Sequence, residues 1–301
     1  MCSSDLVVVM DCPARYAVHV GGGASSLRQV AAVFPGHSVT MADAFLVTGG
    51  SAYGLDSAGG VLRVLEAEGR GTPVGRMVVP AVPTAAVFDL FQGKTRPDPA
   101  MGAAAARDAR PDDDREGRIG AGSGCTVGKV LGPDRAMWGG VGVATVTWPD
   151  GLAVAALAVV NAFGNVRDPD SGTFVAGARD LSGGFIDAEE ALAAGWMNLA
   201  PGSSGQNTTI GVILTNGSLD GVGCTRAAVL ASVAMPECLR PCWTGVDGDV
   251  VFLGTTGACA ADAHQIGIGG RRALQCAIVR AVRSANAVGA PPGESAAWEN
   301  R

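Results

Sequence analysis

The chain has 301 residues, 48% of them hydrophobic and 17% charged, which is ample apolar content for a large buried core. Its formal net charge of −6, without any Lys/Arg cluster interleaved with aromatic residues, argues against a nucleic-acid partner. No apolar run reaches membrane-spanning length and the first residues lack a basic, signal-like segment. The sequence therefore predicts a cytoplasmic protein without a membrane partner.

The cysteine pattern favours free thiols over a metal site. The eight cysteines are scattered without a Cys-x-x-Cys pair, and only three histidines are available as further ligands. Disulfide frameworks are typical of small secreted proteins, whereas a free cysteine packs as a small hydrophobic residue. We therefore expect buried free thiols and no metal.

The N-terminal part alternates short strands with glycine-rich turns. Residues 6–10 and 16–20 are predicted strands, and Ala44 to Thr48 is a buried strand that runs into the turn 49–54. Leu55 to Glu68 has apolar residues at helical spacing. Strand, glycine-rich turn and helix in this order place backbone N–H groups where they can receive an anion. The alternative is a tight turn that lets helix and strand pack closely.

The middle of the chain contains the clearest hairpin. Gly140 to Trp148 and Leu152 to Val160 are two strands turned by Pro-Asp-Gly. The second strand is apolar until it reaches Asn161, whose amide must find partners at the end of a buried strand. Asn161 is then either a strand cap or a fixed donor for a developing oxyanion. The remaining predicted elements here are strands 77–82 and 85–90 and a short helix 103–109.

A glycine-rich run, 120–129, ends in a lone cation, Lys129. It does not match a phosphate-binding loop, because Ser123 stands where that loop needs Gly and Val130 where it needs Ser or Thr. Lys129 is nevertheless notable, because the run before it is otherwise uncharged.

Residues 162–206 form the most irregular stretch, with one predicted helix at 187–194. A loop of this length inside a compact domain is usually functional or disordered. It leads into Asn207 and a β-branched strand that starts at Thr208. The elements predicted after it are strand 208–215, helix 221–234, strand 249–253 and helix 271–287.

Thr208 stands where an N-terminal nucleophile would stand. If the bond between Asn207 and Thr208 is cut, the new α-amine can act as general base for the hydroxyl of the same residue. Two other interpretations stay open from the local sequence. Asn-Thr-Thr is also a glycosylation sequon, and Thr-Thr-Ile is an ordinary way to begin a strand.

Five motifs in order resemble those of the self-processing aminopeptidases typified by the L-aminopeptidase/D-esterase, the β-aminopeptidases and the nylon-oligomer hydrolases. The resemblance spans nearly the whole chain. The motifs are Thr48-Gly-Gly-Ser-Ala-Tyr53-Gly-Leu55, Gly120-Ala-Gly-Ser-Gly with Val127-Gly-Lys129, Val160-Asn161-Ala-Phe-Gly164, Asn207-Thr208-Thr209-Ile210, and Asp247-Gly-Asp249 with Phe252.

The resemblance implies an α/β fold, namely a four-layer α/β/β/α sandwich with mixed, largely antiparallel sheets, in a single domain over residues 1–301. It implies self-cleavage into an α chain, 1–207, and a β chain, 208–301, that stay associated. It also suggests a homo-oligomer of processed protomers, in the family a tetramer. The expected partner is a small-molecule or short-peptide substrate, and no cofactor is expected.

The resemblance also assigns roles to particular residues by motif position. Thr208 matches the nucleophile, Lys129 the active-site lysine and Asn161 the oxyanion amide. Asp247 and Asp249 match the polar pair that orients the new α-amine. The substrate pocket is matched by Tyr53, Gly50 and Ser51.

The sequence departs from the family at several places. Residues 21–28 stand where the family has an Arg-Gly-Gly…Pro-Gly-Thr-Arg element and lack its first Arg, and the family's first strand segment is not recognisable. Glu237 and Trp243 stand where the family has Arg and His. These changes bear on the substrate pocket and assembly more than on the reaction type.

Together these features predict an N-terminal-threonine amidohydrolase that acts on small peptides, β-peptides, amino-acid amides or esters through an acyl-enzyme on Thr208. One alternative is an acyltransferase of the ornithine-acetyltransferase type, which passes the acyl group to an amine. The other is an unprocessed, non-catalytic binding protein of the same fold.

Overall fold

The structure is a computed structural model that describes residues 4–33, 37, 41–92, 95–111, 113–196 and 207–287. Its strands are β1 (Asp5–Val20), β2 (Ser26–Arg28), β3 (Met41–Thr48), β4 (Thr72–Val74), β5 (Met77–Val79), β6 (Thr84–Ala86), β7 (Thr126–Val127), β8 (Met137–Trp138), β9 (Gly140–Thr147), β10 (Ala153–Asn161), β11 (Asn165–Arg167), β12 (Phe174–Ala176), β13 (Thr208–Ser218), β14 (Leu239–Arg240) and β15 (Val250–Ala260). Its α-helices are α1 (Ala58–Ala67), α2 (Pro99–Asp108), α3 (Ala188–Ala193), α4 (Gly221–Ser232), α5 (Ala234–Cys238) and α6 (Ala263–Ala287).

One eight-stranded sheet organises the molecule, in the order β2-β6-β3-β1-β15-β13-β10-β9. Its neighbours are antiparallel except for β13 with β15 and β3 with β6, which are parallel. The sheet is therefore mixed and largely antiparallel, as predicted. The predicted hairpin is confirmed as β9 and β10.

Strand β1 joins two halves of this sheet, β2-β6-β3 on one side and β15-β13-β10-β9 on the other. Two separate strands were predicted in its place, but a single strand runs through with a register shift between Val9 and Ala14. Residues 5–9 and 14–15 pair with β3, whereas residues 15–20 pair with β15. A bulge of this kind bends a strand and increases its twist, so one strand can serve both halves.

Three apolar clusters give the layers. Helices α4 and α6 cover one half of the sheet through a cluster that includes Ile213, Leu253 and Leu274. Helices α1 and α2 cover the other half through a cluster that includes Leu46 and Leu65. The third cluster lies between the two halves, where the Phe45 ring stacks on Phe252 at 5.3 Å and meets Tyr16 at 5.9 Å. The α/β/β/α order that the resemblance implied is thus formed by helices on the two halves of one continuous sheet.

Helix α6 begins earlier than predicted, at Ala263 instead of residue 271. Its first turn is held by the carboxylate of Asp262, which accepts from the N–H of His264 at 2.7 Å and of Gln265 at 3.0 Å. The glycines that weakened the helical pattern have a packing reason. A Cβ at Gly267 would stand 2.7 Å from Leu230 Cβ, and a Cβ at Gly269 would collide with the Trp148 ring. The glycines therefore permit close contact of α6 with its neighbours.

The irregular stretch also contains short strands that the sequence did not reveal. Strands β11 and β12 pair with each other, and β11 also pairs with β14, in a small three-stranded sheet. At three residues or fewer, each is too short to show alternation. The predicted helix here is confirmed as α3, and residues 197–206 lie outside the described residues. None of the helices in the described ranges is long and apolar enough to cross a membrane.

Candidate active site

Three of the predicted site residues lie at one end of the sheet, where strands β10, β13 and β15 begin or end. Asn161, the last residue of β10, stands directly opposite Thr208, the first residue of β13. Strand β15 runs parallel to β13 and is preceded by Asp249. All three side chains are buried, as is Asp247. The pairing of neighbouring strands thus gathers residues that are far apart in the chain.

The carbonyl of the bond before Thr208 receives two hydrogen bonds. The Thr208 hydroxyl donates to Asn207 O at 2.6 Å, and the backbone N–H of Gly248 donates to the same oxygen at 2.7 Å. The Asn207 side chain is fixed as well, because its Nδ2 donates to Val246 O at 3.3 Å. The Gly248 N–H is placed to stabilise negative charge on this oxygen when the carbonyl is attacked.

Gly248 allows this close approach. A Cβ at this position would stand 2.6 Å from Thr208 Oγ1 and 3.0 Å from Ala24 O. Sequence reasoning singled out the two aspartates that flank Gly248 but missed Gly248 itself. The available signal was a glycine at the entry to a strand, which is also typical of an ordinary turn.

Lys129 and Asn161 form a second hydrogen-bonded group. Lys129 Nζ donates to the side-chain oxygen of Asn161 at 2.9 Å and to its backbone oxygen at 3.0 Å. The Thr126 N–H donates to the same side-chain oxygen at 3.0 Å, and Asn161 Nδ2 donates to Phe88 O at 2.8 Å. In the uncut chain the Asn161 amide group is therefore engaged with Phe88, and its oxygen faces Lys129.

Burial lowers the pKa of Lys129 to about 8, although the nearby charges of Asp247 and Asp249 act in the opposite direction. The backbone explains how the lysine reaches this position. Gly128 has a left-handed φ of 75°, and a Cβ there would collide with the backbone of Gly177 and Ala178. Glycine is thus required directly before the lysine.

The two carboxylates beside Thr208 have separate partners. Asp249 Oδ1 accepts from the Thr209 N–H at 2.6 Å, and the Cys242 thiol donates to Oδ2 at 3.5 Å. Asp247 Oδ2 accepts from the N–H and the hydroxyl of Thr244, at 2.9 and 2.6 Å. The sequence-based role of both carboxylates is to hold the α-amine of residue 208. In the uncut chain the nitrogen of residue 208 is an amide, and Asp249 accepts from the N–H of Thr209 instead. The predicted role of the two carboxylates stays a prediction.

The pKa of each of these carboxyl groups is raised. Burial, with a smaller contribution from the negative charge of Asp247, raises the pKa of Asp249 to about 7. Burial also raises the pKa of Asp247, against the effect of its hydrogen bonds to Thr244. Perturbed carboxyl groups in a buried cluster are typical of functional sites, although ion-pair networks also produce them.

The turn that was predicted to line the pocket has its N–H groups occupied. Gly50 and Ser51 both have left-handed φ values, 75° and 56°. The Gly50 N–H donates to Asp89 Oδ1 at 2.8 Å, and the Ser51 N–H donates to Val87 O at 2.9 Å. These groups hold the turn to the segment that carries Phe88 O, and the role of Gly50 and Ser51 in a substrate pocket stays a prediction.

Tyr53 lies at the surface of this turn, 60% exposed, with the guanidinium carbon of Arg96 4.7 Å from its ring centroid. It stays a candidate substrate contact. The cysteines in the described ranges are free thiols, and those ranges hold no group of three or more His, Cys, Asp or Glu placed to bind a metal ion.

The sequence matches the profile of peptidase family S58 over residues 7–295. The chain belongs to this family. It is 40% identical over 252 residues to an uncharacterized aminopeptidase of Mycobacterium bovis, an alignment that covers 81% of this chain and 70% of that protein. It is also 32% identical over 257 residues to the 6-aminohexanoate-oligomer endohydrolase of an Agromyces species, covering 83% of this chain and 68% of that enzyme.

The fold is similar to that of a solved L-aminopeptidase D-Ala-esterase/amidase from Ochrobactrum anthropi, described as a variant of the N-terminal-nucleophile hydrolase fold. The TM-score is 0.61 at 14% identity, over 91% of this chain and 74% of that one. Family S58 membership and this fold make the chain a hydrolase of the peptidase class.

Proposed function

We propose that this S58 hydrolase cleaves itself between Asn207 and Thr208 and then uses Thr208 to hydrolyse small peptides, β-peptides, amino-acid amides or esters. The observation that carries the proposal is the pair of donors on the Asn207 carbonyl oxygen, namely the Thr208 hydroxyl and the Gly248 N–H. The Gly248 N–H bond belongs to the parallel bridge between Asn207 and Asp247, whereas the bond from the Thr208 hydroxyl is not part of the sheet pairing.

The first step is an N→O acyl shift. Thr208 Oγ attacks the carbonyl carbon of Asn207, its proton passes to a base, and the Gly248 N–H stabilises the charge on the oxygen. The C–N bond then breaks, the nitrogen takes up a proton, and Asn207 is left as an ester on Thr208 Oγ. Water hydrolyses that ester, which frees the carboxylate of Asn207 and the α-amine of Thr208.

Lys129 is the proposed base of this first step, before the α-amine exists. Because its pKa is lowered to about 8, part of the population carries a neutral amine near that pH. Its hydrogen-bond partner Asn161 stands opposite Thr208 in the sheet, so a single residue links the lysine to the reacting residue.

The processed enzyme repeats the chemistry on a substrate. The α-amine of Thr208 takes the proton of its own hydroxyl, the hydroxyl attacks the substrate carbonyl, and the leaving amine or alcohol departs with a proton. Water then releases the acyl group. Asp249, which holds the adjacent Thr209 N–H at 2.6 Å, is the proposed group that orients the α-amine.

Mass spectrometry and N-terminal sequencing of the purified chain test the proposal. We expect two fragments, the smaller beginning Thr-Thr-Ile-Gly-Val, and hydrolysis of an amino-acid p-nitroanilide by the pair. Thr208→Ala should stay at the full 30.1 kDa and lose activity. Thr209→Ala is the matched control, since it alters the neighbouring hydroxyl only.

Other outcomes separate the alternatives. A single uncut band from the parent chain, with ligand binding but no turnover, would favour the non-catalytic binding protein. Transfer of the acyl group to added ornithine in preference to water would favour the acyltransferase. A fragment with a different N-terminus would remove Thr208 as nucleophile.

A further inference from the structure

An open cleft of about 540 Å³ lies in the irregular part of the chain. Its walls are two loops, one after Lys129 and one after β12, which are tied together by the Arg179 N–H donating to Arg135 O at 3.0 Å. The cleft is lined by Leu131, Arg135, Arg179, Asp180, Leu181, Ser182 and Ile186. Two guanidinium groups therefore share one cleft with three aliphatic side chains.

The positive charge of this cleft is not balanced by ion pairs. Arg179 Nε is buried without a hydrogen-bond partner. Among the described residues, arginines at other positions form ion pairs, but neither Arg135 nor Arg179 has an acidic partner within 4.0 Å. Among the described lining residues the one carboxylate is that of Asp180, and its Oδ1 accepts from Ser182 Oγ at 2.6 Å and from the N–H groups of Ser182 and Gly184 at 2.8 and 2.9 Å.

One wall of the cleft is connected through the backbone to the loop that carries Lys129. Leu131 is two residues beyond Lys129, and the Lys129 N–H donates to Phe163 O at 2.9 Å. Ala178, which precedes Arg179, packs directly on Gly128, where a Cβ would collide with its nitrogen. Leu131 and Ile186 belong to the same apolar cluster as Phe163. One wall of the cleft is thus continuous with the loop that carries Lys129.

We propose that this cleft binds the C-terminal carboxylate of a short peptide or ω-amino-acid oligomer. A guanidinium fork matches a carboxylate through two parallel hydrogen bonds, and the aliphatic wall accommodates the hydrocarbon part of the same residue. The volume suits a small ligand. The inference rests on the proposed function, since in a dipeptide this carboxylate belongs to the amine that leaves when Thr208 is acylated. The cleft therefore selects free acids over amides on the leaving-group side.

The test compares KM for L-alanyl-L-alanine and β-alanyl-L-alanine with KM for their C-terminal amides. The parent enzyme should prefer the acid by roughly 10- to 100-fold, as expected for a charge-assisted hydrogen bond. Arg179→Gln and Arg135→Gln should move this ratio toward one, and Arg179→Lys should restore part of it. Arg226→Gln is the matched control, because Arg226 is exposed on α4 away from the cleft. A parent ratio of one, or glutamine variants with the parent ratio, would overturn the proposal.

A binding measurement separates this proposal from the proposed function. Calorimetry on Thr208→Ala compares N-acetyl-L-alanine with its methylamide, with and without Arg179→Gln, and needs no turnover. Binding of the acid that depends on Arg179 supports the cleft even if neither dipeptide is hydrolysed, an outcome that counts against the proposed function alone. Equal binding of acid and methylamide, or binding unaffected by Arg179→Gln, removes the cleft proposal while hydrolysis by the parent leaves the function intact.

Discussion

Asp249 and Asp5 are both buried and lie near strand starts, but different groups lie beside them. Asp249 precedes β15, and burial raises its pKa to about 7. Asp5 begins β1, and burial raises its pKa to about 6. Asp249 holds the Thr209 N–H beside the proposed nucleophile, whereas Asp5 accepts from the Ser57 hydroxyl at 3.2 Å.

The comparison teaches that a perturbed carboxyl group alone does not locate an active site. Burial acts on Asp5 and Asp249 by the same physical cause. Asp249 differs because it accepts from the N–H of Thr209. The residue before Thr209 is Thr208, whose hydroxyl donates to the carbonyl of Asn207. Changes around Asp249 should therefore affect chemistry, and changes around Asp5 should affect only stability.

The largest effect is expected from Gly248→Ala. The new Cβ would stand 2.6 Å from Thr208 Oγ1 and displace the hydroxyl from the Asn207 carbonyl. Loss of oxyanion stabilisation alone costs roughly 10²- to 10³-fold in rate, and displacement of the nucleophile should lower the rate further, until cleavage is not detectable. We expect no maturation over hours, measured by electrophoresis of freshly purified chain.

Gly245→Ala is the matched control for this variant, because a Cβ at Gly245 meets nothing within 4 Å. It should mature as the parent does. Normal maturation of Gly248→Ala would mean that the contact between Gly248 and Thr208 has no role in cleavage.

The next largest effect is expected from Lys129→Met, which keeps most of the side-chain length and removes the amine. Self-cleavage should slow by about 10³-fold, within the range for acid–base groups. In the parent, the rate of self-cleavage should rise with pH through about 8, because the pKa of Lys129 is lowered to that value and the neutral amine is the base. Electrophoresis of freshly purified chain that is incubated at several pH values checks both points.

Lys129→Arg separates proton transfer from charge. An arginine keeps the positive charge but does not lose its proton, so this variant should be as slow as Lys129→Met if the lysine is a base. Parent-like rates in Lys129→Arg would instead indicate that the charge alone is needed. Parent-like rates in both variants would place Lys129 outside the reaction.

Asp249→Asn should have a smaller effect, about 10²-fold on kcat/KM, because an amide oxygen can still accept from the Thr209 N–H. The parent should lose activity as pH falls through about 7, where Asp249 takes up a proton, and this limb should disappear in the variant. Asp247→Asn should act in the same direction. The double variant should lose less than the product of the single losses, because groups acting as a unit are not additive.

Stability gives an independent check on Asp249. Its pKa is higher in the folded chain than its usual 3.8, so the folded state binds the extra proton between about 4 and 7 and loses stability as pH rises through that window. Asp249→Asn should therefore be more stable than the parent at pH 8. The kinetic measurement has its own contrary outcome. If the double variant loses the full product of the two single losses in kcat/KM, or if both single variants hydrolyse at the parent rate, Asp247 and Asp249 only form a turn.

The sequence predicted those parts of the fold that local pattern determines. The hairpin β9–β10 was correct, because alternation and the Pro-Asp-Gly turn are local signals. The continuity of β1 and the start of α6 were missed. Pairing with two different neighbours holds β1 through its bulge, and close packing explains the glycines of α6; both causes are tertiary.

The same division applies to the candidate site. Side chains with distinctive chemistry, such as Thr208 and Lys129, were found from the sequence. The groups that were missed belong to the backbone: the Gly248 N–H, the Thr126 N–H and the Phe88 carbonyl. Almost every residue carries an N–H and a C=O, so the sequence does not indicate which of them the fold will bring to a site.

The smallest effect is expected from Asp5→Asn. Burial is the main cause that raises the pKa of Asp5 from 3.8 to about 6, with a smaller contribution from the charge of Asp98. The folded chain therefore binds a proton more readily than the unfolded chain between about pH 4 and 6, and it loses at most about 3 kcal/mol of stability as pH rises through that window. Asparagine has no such dependence. Thermal unfolding from pH 4 to 8 should show a flatter profile for Asp5→Asn, while its hydrolysis rate stays within about twofold of the parent because no reacting group is touched. Asp56→Asn, on an exposed neighbour, should change neither quantity. A loss of hydrolysis by Asp5→Asn at unchanged thermal stability would contradict the comparison, because it would make the environment of Asp5 part of the reacting site.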